Sequence, residues 1–382
     1  MVRSPFQMQS PVRPPSTGLS VTLHPVPPGR IGDWEREWRA LEAHAPDAAP
    51  YLLWDWIAAW AEVYRPPRLA VVRVAGGGGE TVAIALLHLQ LPRVWRFAGA
   101  PVSSERGLLC ADGRHEDAWT ALMHWLAGNP RAWAMLDGQG LLLPWRLRLA
   151  RTTPMPVLGM RLPQSFDAYL AANDPKMAAR TRKRVRRLER SGAAVRPVPR
   201  GDLPAALNDL VRLHTDRARS KGERHPEVDD RLARLLGRIA ESERIRLHAF
   251  ELIVDGRRAG ITVRIDHGAT AYSYNDGLDP NHMSLSPGIL LELESIRDAI
   301  DRGLGRYDLG PGDYPYKREL GAMAEERVSF RIVAPNLAGR TALAAISAYR
   351  GLRGGLRRAA IAVTGRRHSA LVLGLYEPAL AL

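Results

Sequence analysis

Residues 272–277 of the chain read YSYNDG, residues 286–288 read SPG, and residues 307–317 read YDLGPGDYPYK. Aromatic, polar and glycine residues are concentrated in these segments, around three short apolar runs. The pattern predicts a strand, then a helix that begins at Ser286, then a second strand and a polar loop. This order brings strand ends close to a helix N-terminus, which predicts a functional site in this part of the chain.

The sequence around this stretch predicts a mixed sheet with helices. Strands over residues 245–254, 259–266 and 269–275 form a meander, with Asp255-Gly256 and His267-Gly268 at the two tight turns. Apolar spacing predicts helices over residues 176–190, 203–220, 231–242 and 286–302. In the last helix, the same spacing predicts a buried face formed by Ile289, Leu293, Ile296 and Ile300. It places the charged side chain of Glu292 mostly outside.

The first half of the chain is predicted to mix helices with strands, and its polar residues are scattered. Helices are predicted over residues 31–45, 52–64 and 115–126, and strands over 19–25, 69–75 and 81–89. The glycine run 76–79 joins two strands, which favours a hairpin connection over a phosphate loop. Residues 141–163 contain four prolines and are predicted to form a connector with the domain boundary.

Composition limits the class of protein. A chain of 382 residues predicts two domains, and no run approaches the roughly 20 apolar residues that a bilayer span requires. The single cysteine, Cys110, excludes an intramolecular disulfide and a thiolate metal cluster, and fits a reducing cytoplasm. The net charge of +14 favours anionic partners. The Pro- and Ser-rich residues 1–18 are predicted to be a flexible leader.

The helix start at residues 286–288 has the properties of an anion site. Ser286 is a favourable N-cap residue, and Pro287 is favoured at the next position. Gly288 leaves the backbone accessible, and the first-turn N–H groups of a helix lack internal partners. Donor phosphates are therefore predicted to bind at Ser286, Pro287 and Gly288.

The segment after the second strand combines an acid with a cation. Asp308 ends the strand, and Tyr316 and Lys317 follow a glycine-rich turn. Two interpretations stay open: a structural ion pair, or an acid–base group beside a cationic anchor. Tyr272 and Tyr274 share one strand face, where they form either core or the wall of a pocket whose polar rim includes the neighbouring Asn275 and Asp276.

Basic residues outside this stretch predict further contacts with anions. The predicted helix over residues 176–190 carries basic residues on nearly every face, and Arg180 and Arg184 are candidates for substrate binding. His214 and Arg217 are three residues apart, so they share a helix face. After residue 340, arginines alternate with small apolar residues. That pattern predicts either a helix on an anionic membrane or partner, or a helix packed on its own domain.

In the order and spacing of these motifs, residues 165–333 resemble the acetyltransferase domain of the GNAT superfamily, in its Fem-like branch. The motifs include the basic helix, the segment from Leu213 to Arg217, the strand meander, the SPG helix start and the segment YDLG leading to Lys317. The first half is similar to the degenerate GNAT-like domain of such proteins. One departure is that the usual pyrophosphate loop is absent, and residues 286–288 occupy its place.

The resemblance implies an α+β fold of tandem GNAT-like domains, each a mixed, mostly antiparallel sheet flanked by helices, plus a basic C-terminal helical tail. The predicted boundaries are a leader at 1–18, an N-terminal domain at 19–145, a linker at 146–164, an acyltransferase domain at 165–335 and a tail at 336–382.

The implied activity is transfer of an acyl group from a thioester, with acetyl-CoA first among acyl-CoA donors, to an amine or hydroxyl. Asp308 or His214 would accept the proton, Lys317 would anchor an anionic group, and Tyr274 completes the predicted catalytic set. Arg180, Arg184, Arg217, Asn275, Asp276 and Tyr316 are the predicted substrate-binding residues. No metal is predicted.

Relatives of this type often accompany cellulose or exopolysaccharide synthesis. The predicted acceptor is therefore a sugar or polysaccharide precursor, and the predicted location is cytoplasmic, with the tail at the inner face of the membrane. Two alternatives stay open. One is a non-catalytic partner of a membrane glycan synthase. The other is a Fem-type transferase that uses aminoacyl-tRNA, the one case in which nucleic acid would be a partner.

Overall fold

The computed structural model describes residues 18–91, 93–141, 151–173 and 175–364. The predicted leader, apart from Gly18, lies outside the described residues. So do residues 142–150 of the predicted connector and residues 365–382 of the predicted tail. Among the helices that are described, none has both the length and the apolar character that a bilayer crossing requires.

The strands of the described residues join into one 13-stranded sheet. In chain order they are β1 Ser20–Val26, β2 Leu69–Ala75, β3 Thr81–Leu91, β4 Val94–Phe97, β5 Leu109–Cys110, β6 Met135–Leu141, β7 Arg151–Arg161, β8 Ala194–Pro197, β9 Arg246–Val254, β10 Arg257–His267, β11 Thr270–Leu278, β12 Arg306–Pro311 and β13 Met323–Val333. Their order across the sheet is β1-β2-β3-β4-β6-β13-β7-β12-β11-β10-β9-β8, and β5 pairs with β3.

Ten α-helices accompany the sheet in the described part of the chain. They are α1 Glu35–Glu42, α2 Trp54–Tyr64, α3 His115–Gly128, α4 Phe166–Ala172, α5 Pro175–Arg190, α6 Leu203–Ser220, α7 Asp230–Ile239, α8 Pro287–Asp301, α9 Pro315–Glu319 and α10 Leu337–Thr364. A 3₁₀ helix, Pro280–Leu285, precedes α8.

The helices bury their apolar sides against the sheet in separate clusters. One large cluster joins α1 and α2 of the first half to α6 and α7 of the second. Three tryptophans are buried in this cluster, with Trp38, Trp56 and Trp60 each no more than 2% exposed. A second cluster lies beneath α3, and a third beneath α4 and α8. The predicted α+β fold with a mostly antiparallel sheet flanked by helices is therefore confirmed.

The last strand in chain order, β13, connects the two halves of the sheet. Strand β13 pairs on one side with β6 of the first half and on the other with β7. The two predicted sheets are therefore one continuous sheet. Several of its strands run in antiparallel pairs, whereas β4 with β6 and β11 with β12 are parallel. Each of these parallel pairs is linked through a helix, α3 in the first half and α8 in the second.

The predicted linker at 146–164 is wrong for residues 151–161, which form strand β7. The prolines at 154 and 156 had suggested a connector. Pro156 accepts a hydrogen bond at its carbonyl from the Gly312 N–H (2.9 Å), on the side away from β13. Its missing N–H points to that same side, so the pairing of β7 with β13 loses no bond there. The domain boundaries themselves stay a prediction.

Candidate functional site

The parallel strands β11 and β12 separate at the centre of the second half. They pair only from Thr270 with Arg306 to Tyr272 with Asp308, although both strands continue beyond that point. A β-bulge at Tyr274 shifts the register of β11 against β10 at this place. A bulge bends its strand, which accounts for the separation. The result is an opening between two strand ends, with α8 packed over one face.

Glu292 of α8 points into this opening. Its side chain is 6% exposed, and its Oε2 accepts a hydrogen bond from the Ser273 hydroxyl of β11 (3.2 Å). The other oxygen, Oε1, is buried, and the described residues provide no hydrogen-bond partner for it. A buried carboxylate oxygen without a protein partner is costly, and a catalytic role is one physical explanation for it.

Burial raises the pKa of Glu292 from its ordinary value of 4.5 to about 7, and the negative charge of Asp276 adds to the rise. The hydrogen bond from Ser273, the nearby Tyr307 hydroxyl and the positive charge of Lys317 act in the opposite direction. A carboxyl group with a pKa near neutrality can exist in both protonation states at physiological pH. It is therefore suited to accept and return a proton.

Lys317 holds the loop that closes the same opening. The residue is 3% exposed, and its ammonium group donates to the carbonyls of Gly310 (2.9 Å) and Pro311 (2.7 Å). Burial lowers the pKa of Lys317 to about 8, against the attraction of Glu292 and Asp308. Gly310 and Gly312 have positive φ angles of 75° and 93°, which side-chain-bearing residues rarely adopt. The glycines and Lys317 together fix the loop.

The Asp308 carboxylate contacts other groups of the protein through both of its oxygens. Its Oδ1 accepts from the Gly310 N–H (2.7 Å), and its Oδ2 lies 3.7 Å from both Arg306 and Arg327. Arg327 also pairs with Glu105 of the first half (2.6 Å). Burial raises the pKa of Asp308, and the nearby arginines and the Gly310 N–H oppose that rise. The structural ion pair, one of the two open interpretations, describes these contacts.

The two predicted tyrosines differ in environment. The Tyr274 hydroxyl donates to the Val102 carbonyl (2.8 Å), and its ring packs against Trp56 of the first half. It therefore contributes to the junction between the halves. Tyr316 is 41% exposed and stacks on Tyr314. Burial raises the pKa of Tyr316, and the negative charges of Glu292 and Asp276 add to the rise.

The predicted residues of α6 meet the end of β11. His214 Nδ1 lies 2.7 Å from the Asp276 carbonyl, and Arg217 donates to the Asp276 carboxylate (3.0 Å). Asn275 is half-buried, and its carbonyl accepts from the Thr262 hydroxyl (3.4 Å). His214, Arg217 and Asp276 thus form a polar rim at the end of β11.

The start of α8 differs from the predicted cap. Ser286 occupies the N-cap position in the left-handed conformation, and its side chain makes no capping hydrogen bond. Its carbonyl accepts from both Ile289 and Leu290 (3.2 Å each), and Pro287 has no N–H. Asp276 also lies close, because its Oδ2 would be 4.0 Å from a Cβ at Gly288. The phosphate site predicted at Ser286, Pro287 and Gly288 stays a prediction, with fewer free amides than expected.

Arg180 and Arg184 of α5 both pair with an acidic residue of the protein, although Arg180 stays exposed. Both approach the same oxygen of Glu319 on α9, at 3.1 Å and 2.8 Å. They fasten α5 to the helix that carries Lys317. Within the described residues, no group of His, Cys, Asp or Glu side chains has the arrangement to hold a metal ion.

The equivalent opening in the first half is filled by aromatic rings. There the parallel pair β4 and β6 lies beneath α3, and Trp119 of α3 packs edge-on against Phe97 and Phe330. A Cβ at Gly138 of β6 would collide with the Phe330 ring. In the described residues of the first half, aromatic rings thus occupy the space between the parallel strands and α3.

Sequence reasoning missed Glu292 and its partner Ser273. Glu292 is three residues after Ile289 and one before Leu293, so it lies beside the apolar side of α8. Its predicted exposure is wrong, because charge was given more weight than position. The run LELE at residues 291–294 contained the available signal, a carboxylate between two apolar residues of a helix that is buried on most sides.

The comparisons with known proteins agree with this geometry. Residues 175–318 match the sequence model of a family described as an acetyltransferase (GNAT) domain. No curated protein matches the chain. Among solved structures, FemX aligns over 78% of this chain and 96% of its own, with 13% identity and a TM-score of 0.55.

Two further structures are similar. A conserved protein of unknown function from Bacteroides thetaiotaomicron aligns over 78% of this chain and 97% of its own, with 8% identity and a TM-score of 0.52. A tandem GNAT protein from the clavulanic acid biosynthesis pathway covers 83% and 99%, with 16% identity and a TM-score of 0.48.

Residues 175–318 thus resemble a GNAT acetyltransferase domain in sequence. Over 78% of its length the chain shares the fold of FemX, as the sequence resemblance implied. GNAT domains generally take an acyl group from acyl-CoA, and the fold implies a thioester donor and an amine acceptor.

Proposed function

We propose that this enzyme transfers an acyl group from acyl-CoA to a primary amine at the opening between β11 and β12, with Glu292 as the proton acceptor. The observation that carries the proposal is the buried Glu292 carboxylate, which has one oxygen free of protein partners and a pKa of about 7. Asp308 is the weaker candidate, because its oxygens already bind Gly310 and face two arginines.

The reaction needs few groups from the protein. The amine nitrogen attacks the thioester carbonyl, a C–N bond forms, and the C–S bond breaks. Glu292 takes the proton that the nitrogen loses, and the departing thiolate requires one proton in return. Beyond Tyr272, β11 lacks a partner strand on the β12 side, so backbone N–H groups there could polarise the carbonyl. Holding both substrates in place supplies much of the rate.

The amine is proposed to approach along the α6 side, where His214, Arg217 and Asp276 form the polar rim. An amino sugar of a glycan precursor has the hydroxyls and the nitrogen that such a rim can bind. Acetyl-CoA is the proposed donor, and Lys317 holds the loop against which the acyl group would lie.

A thiol-release assay tests the proposal. The enzyme is incubated with a panel of acyl-CoA donors and with amino sugars, peptide amines and matched hydroxyl compounds as acceptors. Acceptor-dependent CoA release with at least one amine is expected, and a mass increase equal to the acyl group should appear on that amine. CoA release that no amine in the panel stimulates would contradict the proposal.

Helix α10 favours a peripheral location at the cytoplasmic face of a membrane. It contains five arginines and no acidic residue, and Leu337 and Leu352 are 77% and 63% exposed. We expect co-sedimentation with anionic vesicles but not with neutral ones, weakened by Leu352→Asp. Equal recovery with both vesicle types would exclude this location and the related role beside a glycan synthase.

A further inference from the structure

A groove lies between α5 and the 3₁₀ helix that leads into α8. Lys183, Arg187 and Arg190 line it on one side and Ser284 and Leu285 on the other, around a volume of about 440 Å³. Residues 284 and 285 directly precede the start of α8, so the groove opens next to the place where donor phosphates were expected.

The basic side chains of the groove form one stripe. Lys183, Arg187 and Arg190 are four and three residues apart, so they lie on one helix face. Lys183 and Arg187 are exposed, and no described acidic side chain forms an ion pair with either. By contrast, the neighbouring Arg184 is paired with Glu319. The groove therefore presents positive charge that the fold does not neutralise.

The first turn of α8 is a poorer phosphate site than this groove. Pro287 has no N–H, and the N–H groups of Ile289 and Leu290 are taken by the Ser286 carbonyl. The Asp276 carboxylate lies beside Gly288 and would repel a phosphate there, although Arg217 partly neutralises it. Guanidinium and ammonium groups, by contrast, bind phosphate directly.

We propose that the groove formed by Lys183, Arg187 and Arg190 binds the phosphates of the CoA nucleotide. The first turn of α8 would then guide the pantetheine arm toward the opening at Ser273. This inference rests on the proposed function for the identity of the donor. It adds a binding site on a helix outside the segment in which GNAT phosphate loops occur.

Calorimetric titration with CoA tests the site. The double variant Lys183→Gln/Arg187→Gln removes two charges from the groove. Arg182→Gln/Arg186→Gln is the matched control, because it removes two equally exposed charges from the same helix outside the groove. Since a hydrogen bond to a charged group typically changes affinity by about tenfold, we expect the groove variant to weaken CoA binding at least about tenfold. The control should change it less than about threefold, as expected of screened surface charge.

An acyl donor without phosphates distinguishes phosphate binding in the groove from the acyl-transfer step. With the N-acetylcysteamine thioester of the same acyl group, the groove variant should turn over at the wild-type rate, whereas with acetyl-CoA its KM should rise. Equal weakening by both double variants, or none, would overturn the site.

If the proposed function is wrong, the two assays should give a different pattern of results. Neither thioester would then support transfer, while the CoA titration would still report on the groove. If CoA did not bind at all and tRNA bound in a manner lost in Lys183→Gln/Arg187→Gln, the groove would belong to a tRNA-dependent transferase and the CoA assignment would be wrong.

Discussion

Replacing Glu292 with glutamine should lower activity and raise stability at the same time. Gln keeps the size and the hydrogen bond with Ser273 but cannot accept a proton. General-base catalysis typically contributes roughly 10²–10⁴-fold, so kcat with an amine acceptor should fall by about that factor. In the wild type, kcat should also fall as the pH drops below about 7, because protonation of Glu292 removes the base. That inflection should disappear in Glu292→Gln.

The stability effect follows from the same pKa. Glu292 has a pKa of about 7 in the fold against an ordinary value of 4.5, so the folded chain holds this proton more tightly than the unfolded chain. The free energy of unfolding therefore decreases as the pH rises through the window from 4.5 to about 7. Above that window the cost of the buried charge is about 3 kcal/mol. Glu292→Gln removes this cost, so the variant should be more stable than the wild type at pH 8.

Denaturant unfolding at pH 4.5 and pH 8, together with a pH–rate profile, measures both effects. Glu294→Gln is the matched control, because Glu294 is on the same helix and pairs with Arg297 outside the opening. It should change kcat by less than about threefold. Undiminished turnover in Glu292→Gln, or a variant less stable than the wild type at pH 8, would refute the reasoning.

Three further substitutions distinguish the proton acceptor from residues that only hold the structure of the site. Lys317→Ala removes two buried charge-assisted hydrogen bonds to the loop carbonyls, so it should lower the free energy of unfolding in urea by about 2 kcal/mol. It should also lower kcat, because the loop loses its order. Unchanged stability would contradict the role of Lys317 in holding the loop. Asp308→Asn weakens the attraction to Arg327 but should keep more than a tenth of kcat, and a loss as large as that of Glu292→Gln would reassign the base. Tyr274→Phe loses its bond to the Val102 carbonyl and should cost about 1 kcal/mol with an unchanged KM for the donor in steady-state kinetics.

Apolar periodicity and turn residues were sufficient to predict many elements of the fold. Strand β2 and helix α6 occur at the predicted residues. The meander β9 to β11 occurs with its first turn as predicted and its second one residue later, after His267. Strand β7 was missed because its prolines are tolerated only where their missing N–H faces away from β13, the strand with which that part of β7 pairs. That property depends on the neighbouring strands and is absent from the local sequence. The pairing of β13 with both halves is likewise a long-range outcome.

The site proposed from the structure lies in the segment that the sequence predicted, but its residues have different proposed roles. Lys317 and Asp308 are buried near the opening, as the density of special residues suggested. Asp308 binds its own turn because Gly310 places an N–H within 2.7 Å, a detail of backbone geometry that spacing does not reveal. Glu292 was missed because its function depends on burial. A carboxylate becomes a base near neutral pH only when the surrounding fold removes water from it.

The first half of the chain is needed for the site in the second half, although its own opening is filled. Tyr51 of the first half packs against both Tyr272 and Tyr274, the residues of β11 at which the strands separate. Glu105 holds Arg327, which in turn faces Asp308 at the end of the paired region. Phe330 of β13 fills the space beneath α3 and thereby fixes the strand that pairs with β7. Because the bulge, the strand end and the neighbouring strand all depend on contacts from the first half, the opening that contains Glu292 is a property of both halves together.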